Sequence, residues 1–291
     1  MGDGRDAKVL FGRERRKAPS SPNTTRPNAM PRFGICGTPD KADLATEAGF
    51  DYVELPAGRL LDPRADDTES HLQTLRGLGN RARIFNIFMP GDLVVTGPDR
   101  DEAALQTYLA GLFDNLHELV AETIVFGSGK ARMVRDGQSR DEAWQQITDL
   151  LQMAAPHAER SGAMIVIEPL RSAECNILNT VDEAMRMVRQ LDHPHVQCLV
   201  DSYHLWEEDE AVDHIVEAGG AIRHVHVADP GTRASPGLDR THDDRYDAFF
   251  RALHTIGYDS AISVEGRSDW QPDELAATRS FLEKAWTDAA S

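Results

Sequence analysis

Hydrophobic positions along the 291-residue chain fall into two alternating patterns. Short runs rich in β-branched and aromatic residues recur, and each is followed by a longer segment whose apolar positions return every three or four residues. An unbroken run of Ile and Val reads as a strand covered on both faces, as in parallel sheets. The longer spacing reads as an amphipathic helix. The clearest run is Met-Ile-Val-Ile at 164–167, which leads straight into Glu168 and is stopped by Pro169. Runs at 33–37, 51–55, 82–88, 122–126, 196–200, 222–227 and 261–264 complete eight predicted strands. Helices are predicted over 40–48, 69–78, 101–121, 140–160, 180–190, 210–218, 246–255 and 272–285. Asp40 and Thr180 are the expected N-caps of two of them, and Gly49 and Gly162 are expected stops. Eight strands, each followed by a helix through a short link, predict a single-domain (β/α)8 TIM barrel over residues 32–291. An open doubly wound sheet is the alternative. It would usually carry a glycine-rich phosphate loop after its first strand, where this chain has Gly37-Thr-Pro-Asp40.

Residues 1–31 stand outside this pattern. They are rich in Arg, Pro, Ser, Asn and Thr, without apolar period and without the apolar centre of a signal peptide. The stretch fits a disordered tail, a vector remnant, or sequence upstream of a start at Met30.

Composition narrows the partners. A hydrophobic content of 41% suffices for a full core, and 31 basic against 48 acidic residues leave a net charge of -17. Such a surface repels phosphate backbones, so nucleic acid is not expected as a partner. No run approaches the ~18 apolar residues of a membrane helix. The three cysteines, Cys36, Cys175 and Cys198, lack paired spacing and fit reduced thiols in a cytoplasmic protein.

The candidate chemistry lies at the ends of strands five to eight: Glu168, Asp201, His226 and Glu265. In a barrel these ends are neighbours on one rim, the C-terminal rim where such folds carry their active sites. A carboxylate there is costly unless a cation or a proton meets it. Any one of the four could be an ordinary strand-end polar residue. Together they form a hard-oxygen set with one imidazole, suited to Mn²⁺, with Mg²⁺ or Co²⁺ as alternatives. Asp201-Ser-Tyr-His204 puts His204 one short turn beyond Asp201, within reach of a bound substrate. Glu174 and Asn176 follow Glu168 in one loop, and Arg233 follows His226 in another.

From about Phe33 onward the chain resembles the xylose isomerase-like TIM barrel superfamily of sugar isomerases and epimerases, closest to the ketose (D-tagatose) 3-epimerase and hydroxypyruvate isomerase group. The resemblance rests on Ile167-Glu-Pro-Leu-Arg-Ser-Ala-Glu-Cys-Asn176, Asn179-Thr180, Asp201-Ser-Tyr-His204, His224-Val-His-Val-Ala-Asp229 and Ile262-Ser-Val-Glu265. It implies one divalent ion on Glu168, Asp201, His226 and Glu265, substrate contacts from Glu174, His204 and Arg233, and a homodimer or homotetramer. The loop before Arg233 is one residue longer than the family's usual spacing.

The expected activity is that of a metal-dependent isomerase in carbohydrate metabolism, most simply a ketose 3-epimerase. Glu168 and Glu265 would be the catalytic pair, moving a proton on and off the carbon beside a ketone through a cis-enediolate. Hydroxypyruvate or other aldose–ketose isomerisation, and keto-inositol dehydration, need the same parts. An apurinic-site endonuclease shares the barrel but would require histidines on the early strands.

Overall fold

The computed structural model describes residues 30–238, 241–266 and 270–291; the expected tail lies outside these apart from Met30 and Pro31. Eight parallel strands close in sequence order: β1 (Arg32–Cys36), β2 (Tyr52–Pro56), β3 (Ile84–Asn86), β4 (Thr123–Phe126), β5 (Met164–Ile167), β6 (Val196–Asp201), β7 (Ile222–Val227) and β8 (Ala261–Val264). Pairing of β8 with β1 shuts the ring, so the fold is a (β/α)8 TIM barrel and not an open sheet.

The outer layer follows the three-to-four spacing. Helix Arg140–Ser161 buries Ala143, Ile147, Leu150, Leu151, Ala154 and Ala158 on one stripe. Ser139 caps it through a reciprocal bond with Glu142, and Gly162, at φ 85°, ends it in the left-handed conformation. Thr180 likewise caps helix Val181–Leu191 by accepting from the Glu183 amide.

Several boundaries differ from expectation. Asp40 does not cap the first helix. It sits inside a 3₁₀ turn, Pro39–Lys41, and the α-helix runs only over Ala42–Glu47. The third strand is cut to Ile84–Asn86 because Ile87 takes a positive φ of 48° and turns the chain out of the sheet. Helix Asp213–Ala218 starts later than predicted, and the Glu210 carboxylate instead receives the Val181 amide. Short helices Ala57–Leu60, Gly129–Arg132 and Ser202–Glu207 are too brief to show a period in sequence.

Alternation along the strands sorts the barrel interior. Val125, Val166 and Leu199 meet in a cluster of their own, separate from the sheet–helix core. Two residues further along the same strands, the chain presents Gly127, Glu168 and Asp201 on the same side. A small apolar layer therefore floors a polar rim.

A chain beginning at Met30 should melt at the temperature of the full chain, because residues 1–31 carry no core-forming pattern. Thermal denaturation of the two side by side checks this, and a clear drop for the shorter chain would contradict it.

Candidate functional site

The four strand-end residues meet on the C-terminal rim. One atom each of Glu168, Asp201, His204 and Glu265 lies within 4.8 Å of the others. His226 joins through Nδ1, 3.1 Å from Glu168 Oε1 and 3.4 Å from Glu265 Oε2. The other imidazole nitrogen, Nε2, faces Glu54 Oε1 at 2.8 Å. Asp201 divides its oxygens: Oδ1 accepts from the Tyr203 amide at 2.7 Å, capping Ser202–Glu207, while Oδ2 is buried without a hydrogen bond among the described residues.

Local backbone chemistry sets Glu168. Gly127 faces it from β4, and a Cβ at that position would stand 2.1 Å from Glu168 Oε2. Glycine is needed there for clearance. Arg132 is fully buried and has no carboxylate in ion-pair contact among the described residues. Its guanidinium donates to the carbonyls of Gly127 and Glu168, each at 2.6 Å, and to that of Ile177 at 3.3 Å. Arg132→Met should leave the buried carbonyls of Gly127 and Glu168 without this donor, and that of Ile177 with only the Cys175 thiol, and cost about 3 kcal/mol, since each unpaired buried group costs ~1–3 kcal/mol. Urea denaturation measures it; an unchanged midpoint would show that these carbonyls are satisfied otherwise.

The loop residues divide. His204 is buried, and its Nδ1 accepts from the Arg171 amide at 3.1 Å. That bond puts the ring proton on Nε2, which has no hydrogen-bond partner among the described residues and lies 3.8 Å from Asp201 Oδ2. His204 is thus set to donate a hydrogen bond into the site, not to offer a lone pair to a cation. Arg233, at φ 55°, reaches back over the Tyr203 ring. It pairs with the Glu265 carboxylate and lies 3.5 Å from Glu174 Oε2 and 3.9 Å from Asp201 Oδ2. Glu174 also takes Arg171 Nε at 2.9 Å. Asn176 lies apart: its amide is spent on the main chain of Val134.

Charge is unevenly held. Burial, then the neighbouring Glu265, push Asp201 up to about 7, and the same two causes raise Glu168. Glu265 goes the other way. Burial opposes its charge, but His226 and Arg233 outweigh burial and hold it down to about 2. Burial and Arg233 keep His204 neutral, lowered to about 3. Fully ionised, the three carboxylates would carry three negative charges on one small rim, and the rise of Asp201 and Glu168 shows how strongly that is opposed when no cation lies among them. A divalent cation is the group that fits two buried carboxylates, the half-buried Glu265 and an Asp201 oxygen without a hydrogen bond among the described residues.

Sequence reasoning did not single out Glu54, Tyr52, Ser263 or Arg132 as site residues. Glu54 showed the same signal as Glu168, a carboxylate at the end of an apolar run. Arg132 gave none.

Barrel closure and this rim define a class, the TIM barrels with a carboxylate-rich C-terminal rim, and comparison with known proteins makes it particular. The profile of the xylose isomerase-like TIM barrel family matches residues 42–285, and the chain belongs to that family. It is 28% identical over 252 residues to a ketose 3-epimerase of Arthrobacter globiformis, covering 83% of this chain and 82% of that protein. It is 26% identical over 252 residues to an L-ribulose 3-epimerase of Mesorhizobium japonicum, covering 83% and 80%. The structure of an L-ribulose 3-epimerase superposes with a TM-score of 0.74 at 20% identity, over 89% of this chain and 96% of that one, a likeness of fold.

Proposed function

We propose that the chain is an isomerase-class enzyme, a divalent-metal-dependent ketose 3-epimerase. The observation that carries this is the meeting of Glu168, Asp201, Glu265 and His226 Nδ1 on one rim. Glu168, Asp201, His226 and Glu265 would hold the ion, Mn²⁺ by preference for three hard oxygens and one imidazole, with Mg²⁺ or Co²⁺ as alternatives. When bound, it supplies Lewis-acid polarisation of the ketone and of the adjacent hydroxyl.

The remaining work falls to side chains. Glu265, held ionised, is suited to take the proton from the carbon beside the ketone, leaving a cis-enediolate. Glu168 would return a proton on the other face, which inverts the carbon. The reverse reaction exchanges the roles. Nearest oxygens of the two lie within 4.8 Å. A carbon flanked at ~3–3.5 Å on each side requires about 6–7 Å, so the carboxylates must rotate apart to admit substrate. His204 Nε2–H orients a substrate oxygen. Arg233 and Glu174 bound the pocket on the same side and bind hydroxyl groups.

Aldose–ketose isomerisation returns the proton to the neighbouring carbon, and dehydration expels a β-hydroxyl; both remain chemically open to this site. An endonuclease-type cluster fits less well, because the described ends of β1 to β3 offer Cys36, Glu54 and Asn86 but no histidine. The test is incubation with free ketoses, keto-inositols and hydroxypyruvate with added Mn²⁺, read by chromatography. Epimerised ketose supports the reading, and conversion of hydroxypyruvate or inositols alone would overturn it.

A further inference from the structure

A second carboxylate, unused by the chemistry above, sits in the barrel lumen. Glu54 on β2 is fully buried, and its oxygens are divided between two histidines of β7. Oε2 lies 2.7 Å from His224 Nε2, and Oε1 lies 2.8 Å from His226 Nε2. Ser263 of β8 donates to Oε2, and the Tyr52 hydroxyl lies 2.8 Å from Ser263 Oγ. All five residues are buried. They form a continuous polar column from the lower barrel to Glu168 on the rim. The column has been given room: a Cβ at Gly34 would stand 2.3 Å from the Tyr52 ring.

We propose that Glu54 is a positioning residue, whose Oε1 accepts from His226 Nε2–H and thereby keeps the Nδ1 lone pair turned toward Glu168 and Glu265, where the divalent ion would be held. This rests on the metal-dependent reading and deepens it. Both ring nitrogens face carboxylates, Nδ1 those of Glu168 and Glu265 and Nε2 that of Glu54; a neutral imidazole carries one proton, and with a cation held on the Nδ1 side that proton belongs on Nε2, where Glu54 accepts it. The same negative charge makes the far nitrogen a better donor to a cation. Rotation of the ring would break the Glu54 bond and point a C–H at the ion. His224 and Ser263 serve Glu54 in turn. They saturate its second oxygen, so that an otherwise unpaired buried carboxylate keeps one orientation.

The experiment measures Mn²⁺ dissociation constants by competition with a fluorescent chelator, for the full chain and for Glu54→Ala and Glu54→Gln. Glu54→Ala should weaken Mn²⁺ by about 10–100-fold, the usual effect of removing an outer-sphere partner. Glu54→Gln keeps the packing and one acceptor oxygen but loses the charge, and should fall between the two. If Glu54→Ala does not fold, Glu54→Gln decides alone, and wild-type affinity in it overturns the assignment. Folded Glu54→Ala with wild-type affinity overturns it as well. Imidazole ¹⁵N spectra of the Mg²⁺-loaded wild type give a readout independent of affinity: His226 should be protonated at Nε2, and protonation at Nδ1 contradicts the proposal. A wild-type chain that takes up no divalent ion would instead bring down the metal-dependent reading itself, a result distinct from a metal-binding wild type with indifferent Glu54 variants.

Discussion

Glu168→Gln and Glu265→Gln should each lower turnover by about 10²–10⁴-fold, the usual contribution of a general acid or base. Glutamine keeps the shape and one ligand oxygen but can neither take nor return a proton. The two variants should differ in detail. Glu265 pairs with Arg233, so losing its charge also leaves that guanidinium without its nearest carboxylate. Glu168 is held at its carbonyl by Arg132, so the glutamine should keep its place. His204→Ala should cost less, because that residue orients substrate and moves no proton. The measurement is turnover together with solvent deuterium incorporation at the carbon beside the ketone. Wild type should exchange that proton whether the net reaction is epimerisation or isomerisation. If both glutamine variants retain metal and exchange at the wild-type rate, the two-carboxylate mechanism is wrong and another base does the work.

Asp201→Ala should abolish metal binding that in wild type reaches one ion per chain, as read by elemental analysis after reconstitution. Removing Asp201 takes away one of three carboxylates, and its two oxygens have separate tasks. Oδ1 caps Ser202–Glu207, and losing a cap costs about 1 kcal/mol. Oδ2 faces the site, and its charge is opposed by burial and by Glu265. Asp201→Asn separates these. Its amide oxygen can still accept from the Tyr203 amide, while the charge is gone. The metal-free asparagine variant should melt no lower than metal-free wild type, because a cap is kept and a repulsion relieved. It should nonetheless bind metal far more weakly. Metal near zero in carefully reconstituted wild type would overturn the assignment of the site.

Much of the architecture was legible in the chain itself. Eight apolar runs separated by amphipathic segments dictate alternating strands and helices, because a strand buried on both faces needs no polar positions and a helix on its surface needs one apolar stripe. A carboxylate at the end of such a run is conspicuous for the same reason, which is how Glu168, Asp201 and Glu265 could be read directly. The ring had to close before the rest had meaning. Glu54 and His226 are 172 positions apart and meet only because strand alternation turns both into one lumen. Arg132 acts on Glu168 from 36 positions away through a carbonyl, a group every residue possesses and no sequence pattern marks. The Nδ1 bond that leaves His204 with a free Nε2–H comes from the main chain of Arg171, equally invisible in composition. Burial periodicity is written locally, residue by residue, and determined the fold. Orientation, tautomer and charge at the rim depend on groups brought together by closure, and only the tertiary structure decided them.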